Sequence, residues 1–600
     1  MALREAIGKL GYGGLFMALW REGKGLPMNA YPPIHFVASS SYAFLSHPIY
    51  VAFVAVVAGF AIVGDSPAGL WVITPISALA VMSLVIGYEG PKLRERFGAP
   101  KKSPLFGVPL STEDMPPLGR RFAAGLMAFG PWVLGYSLLS CMPTPQNPAQ
   151  LRLAYELTLA RPEWAIWLYS AAYPLVAVSP LYIRSLADLR RLVLGARLAT
   201  GVGFFLMLML PGHSAFLPVD YSAAGTWLAD ANRTMDADWL AFPAFHALWA
   251  VFVAQAMSRS VPRLRMAWWA LAFGISGSCV LTGSHAIVDV LAGIGLGVLC
   301  WQYDRVWRAL VYCSERLGNS WSALELGPLR IISHAIWSFA AAATGLILVL
   351  YLAGPGTIFP CGIVVVTGLL SAGVWGYWLE GGARLSRPFG YYGFLLGGLG
   401  ALGALAFSGV PEAGALTAAF AAGASLAQAF GRLRCVVQGC CHGRQAPAVS
   451  GIRVVHRVSR VAAHANLQGV PIHPTQLYSI VGNLVLAGVL LRLWSTHAPW
   501  TVIGGLYLVL SSLARFAEEQ YRGEPQTTKW GGLAVYQWLA VAFFLAGAAL
   551  TMVPGPLVSA ARWWSPGGLA FSVGAGLVAA FLLSVDFPRS ERRFSRSTVS

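Results

Sequence analysis

Residues 413–435 read Ala413-Gly414-Ala415-Leu416-Thr417-Ala418-Ala419-Phe420-Ala421-Ala422-Gly423-Ala424-Ser425-Leu426-Ala427-Gln428-Ala429-Phe430-Gly431-Arg432-Leu433-Arg434-Cys435. The uncharged part is close to the roughly 20 residues a helix needs to cross a bilayer, and it runs directly into arginine and cysteine. The cluster continues as Gly439-Cys440-Cys441-His442-Gly443-Arg444 and, after a basic loop, as His473-Pro474-Thr475-Gln476-Leu477-Tyr478, where another apolar window opens at 476–494. A charge at the centre of a membrane helix costs roughly 2.5 to 3.5 kcal/mol. Ionisable groups and thiols crowded between two such windows therefore point to a functional site in a membrane protein.

Of 600 residues, 56% are hydrophobic and 11% charged, against about 25% charged in ordinary soluble domains. Apolar windows of spanning length recur from residue 48 to 302 and again from 332 to 585, about sixteen in all. The expected fold is all-α, a polytopic transmembrane helical bundle. The net charge of +17 does not indicate nucleic acid, because the basic residues sit in short loops between apolar runs, as the positive-inside rule requires. The eight cysteines show no secreted disulfide framework. The N-terminal stretch carries Arg4, Lys9, Arg21 and Lys24 without a long apolar core or a cleavage site, so no signal peptide is expected.

With a cytoplasmic N-terminus, the basic loops holding Lys92, Arg94, Arg96, Lys101, Lys102, Arg120 and Arg121, then Arg184, Arg190 and Arg191, then Arg259, Arg263 and Arg265 fall inside. The acidic loop with Asp220, Asp230, Asp236 and Asp238 falls outside, and the C-terminus returns to the cytoplasm. Two polar stretches, Pro91 to Leu118 and Arg305 to Arg330, suggest three membrane modules: 1–110, 111–318 and 319–590, followed by a basic tail at 591–600.

The middle module holds Phe242-Pro243-Ala244-Phe245-His246-Ala247 and, further on, Thr282-Gly283-Ser284-His285-Ala286-Ile287-Val288-Asp289. In a helix starting near His285, Asp289 lies one turn away on the same face and can fix the imidazole tautomer, leaving the other nitrogen free to attack phosphorus. His246 can protonate a leaving alkoxide. The pattern resembles the type 2 phosphatidic acid phosphatase superfamily, especially its inositolphosphotransferase-like branch. By that resemblance His285 is the phosphohistidine nucleophile, Asp289 its orienter and His246 the general acid. The superfamily's Lys-x6-Arg-Pro element is absent, so the phosphate-binding charge must come from elsewhere. The bland alternative is a pair of membrane histidines satisfied by neighbouring backbone.

In the third module the opening cluster joins His473 to Tyr478 and a later run, Arg515-Phe516-Ala517-Glu518-Glu519-Gln520-Tyr521-Arg522-Gly523. Arginine suits a phosphate because its fork is permanently charged and bidentate. Order and spacing resemble the prolipoprotein diacylglyceryl transferase family, which moves diacylglycerol from phosphatidylglycerol to a lipoprotein cysteine. The resemblance implies Arg432 and Arg515 as catalytic arginines, with Glu519 and Arg522 orienting them and His473, Gln476, Tyr478 and Arg444 on the substrate. Departures accompany the matches. Arg434, Cys435, Gln438, Cys440 and Ser479 replace family residues, and in Arg387-Pro388-Phe389-Gly390-Tyr391-Tyr392-Gly393 it is Tyr392 that stands where the family has a histidine. Strict counting of spans puts the 431–475 loop in the cytoplasm, whereas the resemblance implies catalysis towards the outer leaflet.

Cys435, Cys440, Cys441 and His442 raise the question of zinc, but adjacent cysteines rarely reach one metal and the usual Cys-x2-Cys spacing is missing, so no metal is expected. Reactive thiols beside Arg432, Arg434 and Arg444 are the functional alternative, and small buried apolar cysteines the bland one. In the first module Ser46-His47-Pro48-Ile49-Tyr50 and Tyr88-Glu89-Gly90-Pro91 resemble the isoprenylcysteine carboxyl methyltransferase family. That resemblance places His47, Tyr50 and Glu89 at an S-adenosylmethionine site, the one cofactor the chain suggests; the alternative is a relic hairpin in which His47 caps a helix.

The sequence thus reads as a multi-pass enzyme of the bacterial inner membrane: a diacylglyceryl transferase acting on a phosphatidylglycerol-type lipid and a lipoprotein or other acceptor, fused to a lipid phosphatase or headgroup transferase. The rivals are a lipid phosphatase with a non-catalytic C-terminal module, and a lipid transporter, flippase or scaffold.

Overall fold

The computed structural model describes residues 12–26, 31–98, 103–145, 148–219, 221–234, 236–379, 389–524, 528–559, 564–592 and 595. Arg4, Lys9, Lys101, Lys102, Asp220, Arg387, Pro388 and most of the basic tail lie outside the described residues. The fold is an all-helical polytopic bundle. Among the described residues eleven helices are long and apolar enough to cross a membrane, or twelve if the bent pair Ile287–Trp301 and Tyr303–Gly318 counts as one span. Three further apolar helices, Pro48–Val63, Tyr391–Phe407 and Val535–Thr551, are shorter. The expected count of about sixteen exceeds this because an apolar run can make a short helix as well as a crossing, and composition cannot separate the two.

Two compact units emerge rather than three modules: residues 1–75 with 97–306, and residues 76–96 with 307–600. The expected N-terminal module is divided between them. Residues of the 76–96 segment bond into the second unit, where Ser83 Oγ donates to the Leu513 carbonyl at 2.7 Å and Gln537 Nε2 donates to the Gly87 carbonyl at 3.0 Å. His47 and Tyr50 fall in the first unit and Glu89 in the second. His47 precedes the Pro48–Val63 helix without a side-chain capping bond, and its ring lies 6.1 Å from that of Tyr50.

The first unit is built around the helix Phe245–Ser260, almost every residue of which is buried. Its neighbours Arg265–Leu281 and Ile287–Trp301 flank it, and Phe129, Leu189, Leu192, Trp249, Phe252 and Trp301 complete the core. Close approach depends on small residues, as membrane helix packing generally does. A Cβ on Gly297 would sit 2.5 Å from the Leu248 carbonyl oxygen.

In the second unit the helices Ala335–Ala353, Ala413–Gln438, Thr475–Ser495, Trp500–Glu519, Val535–Thr551 and Pro566–Ser584 pack around an apolar core containing Leu350, Leu416, Leu490, Trp494 and Ile503. A small antiparallel sheet pairs Ala323–Leu326 with Leu329–Ile332, whose other edge takes Val585–Asp586, and Arg330 meets the buried Asp586 at 2.7 Å. Between Gln438 and Thr475 the chain forms a loop with a short antiparallel pairing, Ile452–Arg453 with Pro471–Ile472.

Candidate active sites

In the first unit His246 sits in the first turn of its helix and His285 two residues before the helix Ile287–Trp301, in whose first turn Asp289 lies. The rings of His246 and His285 are 5.8 Å apart, so the fold brings the two expected histidines together. His285 Nδ1 lies 3.7 Å from Asp289 Oδ2, an ion-pair distance rather than a hydrogen bond. The helix starts later than expected, and the same Asp289 oxygen accepts from the Ala286 amide at 2.8 Å and from Ser214 Oγ at 2.9 Å. Asp289 therefore caps its helix as well as facing the histidine. Neither ring nitrogen of His285 has a hydrogen-bond partner among the described residues. His246 Nε2 is 3.1 Å from the Tyr173 hydroxyl, and its ring stacks on Tyr169 at 4.0 Å.

Two residues that no spacing singled out join this group. Asp236 accepts from the hydroxyls of Tyr136 at 3.2 Å and Tyr169 at 3.0 Å and lies within electrostatic reach of His285. Burial pushes its carboxyl above the usual range, although His285 opposes the shift. Arg152 donates to the carbonyls of Gly283 at 2.9 Å, Ala215 at 3.1 Å and His285 at 3.4 Å, and its buried Nε has no partner. It also pairs with Glu156 at 3.7 Å. Arg190, Arg191 and Arg197 bond elsewhere, to Pro109, Asp304 and Met127.

In the second unit Glu518 is the hub. Its Oε1 lies 3.1 Å from both Arg515 Nη1 and Arg522 Nη1, and its other oxygen accepts from Ser479 Oγ. Arg515 also meets Glu519 at 2.6 Å and lies over the Tyr536 ring at 5.2 Å, while Arg522 meets Glu524 at 3.4 Å. Glu519 and Arg522 were expected as partners; Glu518 and Glu524 were not. Tyr392 donates to the Tyr536 carbonyl at 3.4 Å and stacks on its ring.

Arg432, in the last turns of the Ala413–Gln438 helix, has neither hydrogen bond nor ion pair among the described residues, although Glu518, Cys435 and Cys441 are within electrostatic reach. It lines a cavity of about 890 Å³. Arg515, Arg522, Glu524, Tyr392 and the three clustered cysteines share the polar part of that wall, and leucines, valines and alanines of the bundle form the rest.

The other expected substrate residues line different surfaces. His473 Nδ1 lies 3.2 Å from the Tyr478 hydroxyl, and Tyr478 stacks on Trp307. Burial, with Arg444 adding to it, holds the His473 imidazole below its usual value. Arg444 lies over the Tyr521 ring at 6.0 Å. Gln476 points its amide nitrogen at the Cys440 carbonyl at 2.8 Å, and Thr475 Oγ1 donates to the Cys441 carbonyl at 2.6 Å. Both residues therefore brace the cysteine turn.

Residues 322–553 match the family model for prolipoprotein diacylglyceryl transferase, and residues 151–302 match that of the PAP2 superfamily. The chain is similar to phosphatidylglycerol–prolipoprotein diacylglyceryl transferase 2 of Clostridium perfringens (strain 13 / Type A), with 25% identity over 198 residues, 31% of this chain and 75% of that protein. It is also similar to phosphatidylglycerol–prolipoprotein diacylglyceryl transferase of Clostridium tetani (strain Massachusetts / E88), with 32% identity over 102 residues, 17% of this chain and 39% of that protein. One polytopic chain thus carries a diacylglyceryl transferase-like domain and a PAP2-type domain in the membrane.

Proposed function

We propose that the second unit transfers a diacylglyceryl group from a phosphatidylglycerol-type lipid to a thiol acceptor such as a lipoprotein cysteine, at the bacterial inner membrane. The observation that carries the reading is Arg432, a guanidinium without a bonded partner among the described residues, set at the polar wall of a largely apolar cavity of about 890 Å³. A phosphate diester with two acyl chains meets such a site with its charge on arginine and its chains in the bundle. Arg432 holds the phosphate, and Arg515 and Arg522, their forks fixed by Glu518, Glu519 and Glu524, line the same cavity as further N–H donors. As the acceptor sulfur forms its bond to the glycerol carbon, the C–O bond breaks and the departing phosphate oxygen keeps the electron pair beside the arginines.

For the first unit, the juxtaposition of His246 and His285 favours a phosphohistidine-type lipid phosphatase or phosphotransferase. His285 attacks phosphorus, His246 protonates the leaving oxygen, and Asp289 and Asp236 stabilise the charge that develops on His285. Purified protein given labelled phosphatidylglycerol with a cysteine-containing peptide tests the first reading, and the same protein given a lipid phosphomonoester tests the second. Arg432→Ala should abolish label transfer and His285→Ala should abolish phosphate release, each sparing the other activity. Wild-type protein that does neither would refute the reading.

A further inference from the structure

The sulfurs of Cys435, Cys440 and Cys441 all lie within 4.8 Å of one another, and none is in a disulfide. Sequence neighbours such as Cys440 and Cys441 normally point apart, by about 100° on a helix and to opposite faces on a strand. Here the backbone removes that obstacle. The helix ends at Gly439 in the left-handed region, φ 74°, and Cys441 is left-handed too, φ 58°. A side chain on Gly439 would collide with Ser459 Oγ at 2.0 Å, so the turn has room for glycine alone. A non-glycine residue held at positive φ is uncommon, and such conformations persist where the surroundings fix them.

The surroundings do fix it, from two separate segments. Gln476 Nε2 and Thr475 Oγ1 hold the carbonyls of Cys440 and Cys441, and Glu524 accepts from the Cys441 amide at 2.8 Å. These bonds engage only backbone groups; of the three sulfurs Cys440 Sγ donates to Gln438 Oε1 at 3.4 Å, a bond that loss of the thiol proton on metal binding would release, and all three cysteines line the cavity. Three thiolates around a tetrahedral ion with bonds near 2.3 Å stand about 3.8 Å apart, so each pair has to close by about 1 Å at most. With a divalent ion the group carries a net charge of −1, and the Arg432 guanidinium lies within electrostatic reach of Cys435 and Cys441 to balance it. A disulfide would use two of the sulfurs and leave the third without a role.

We propose that Cys435, Cys440 and Cys441 bind one divalent ion of the zinc class through three thiolates, with the fourth ligand position open to the cavity. Three protein ligands and one open position are the arrangement of reactive rather than purely structural zinc sites. The open position suits a thiol, which binds as a thiolate and releases its proton to water. If the transfer reading holds, that thiol is the acceptor's, activated where Cys440 and Tyr392 stand in place of the family's ionisable groups.

The test uses full-length protein in detergent without a polyhistidine tag. Metal analysis should find one zinc per chain, and cobalt substitution should give a thiolate-to-cobalt charge-transfer band in the near ultraviolet. Cys435→Ser, Cys440→Ser and Cys441→Ser should each lose or sharply weaken that band, whereas Cys361→Ser, a buried cysteine elsewhere in the unit, should keep it. Adding a small thiol or a cysteine-containing peptide should shift the cobalt ligand-field bands. Cooperatively melting wild-type protein that binds neither zinc nor cobalt would overturn the site, as would a band that survives all three substitutions. Ligand-field bands that ignore added thiol would overturn the open position. None of these readouts depends on lipid transfer, so a failed transfer assay with metal bound would fault the transfer reading and leave the site standing.

Discussion

Glu518→Gln tests whether one carboxylate organises the arginine site. Glu518 contacts Arg515 and Arg522 at 3.1 Å each and takes the Ser479 hydroxyl on its second oxygen. Both arginines keep another carboxylate, Glu519 at 2.6 Å and Glu524 at 3.4 Å, so neither charge is stranded. The amide oxygen of glutamine can still accept from one arginine, and the loss therefore amounts to about one charge-assisted bond, roughly 2 to 3 kcal/mol. If the two forks must be fixed for transfer, that becomes a roughly 30- to 150-fold drop in kcat/KM. The assay is label transfer from phosphatidylglycerol to a cysteine-containing peptide, with thermal unfolding of the same preparation as the fold control. Ser479→Ala removes only a neutral donor and should cost about 1 kcal/mol. Glu518→Gln with wild-type melting and transfer within about twofold of wild type, under half a kcal/mol, would show that Glu518 does not position the arginines.

Three further outcomes follow from particular contacts. Asp236→Asn removes the negative charge held by two tyrosine hydroxyls near His285, and should lower phosphate release about 10- to 100-fold while leaving label transfer unchanged; equal effects on both activities would contradict the assignment. His473 is held below its usual value by burial and Arg444; a histidine depressed in the folded state contributes stability above its unfolded value and loses it as pH falls, so melting temperature should decline below about pH 6.5. His473→Gln should flatten that decline, and an unchanged slope would count against it. Gly297→Val places a branched side chain where a Cβ already meets the Leu248 carbonyl at 2.5 Å, and should destabilise the first unit by about 1 to 3 kcal/mol, read as a lower melting temperature with the second unit's transfer activity retained.

Much of this site was legible in the sequence because local patterns carry it. Arg515, Glu518, Glu519 and Arg522 recur at helical spacings of three and four, which brings them to one face, and the order of the cluster, the His-Pro-Thr-Gln run and the arginine run already pointed to a phosphate site. Spacing could not choose Glu518 over Glu519 as the hub, because both lie within reach of Arg515. Likewise His285 and Asp289 were paired by their interval of four, but the start of the helix after His285 gave Asp289 a capping duty that the interval does not reveal.

By itself the sequence determined that this chain is a helical membrane protein and which arginines and histidines are the candidates for its chemistry, since hydropathy and short-range spacing depend only on neighbours along the chain. The tertiary structure alone decided the division into two units, the entry of Asp236 and Arg152 beside His285, and the convergence of three cysteines at the cavity. Those features rest on contacts between distant segments, such as Gln476 on the Cys440 carbonyl and Gln537 on the Gly87 carbonyl, and on a backbone turn at Gly439 and Cys441 whose left-handed angles are stabilised by what packs around them.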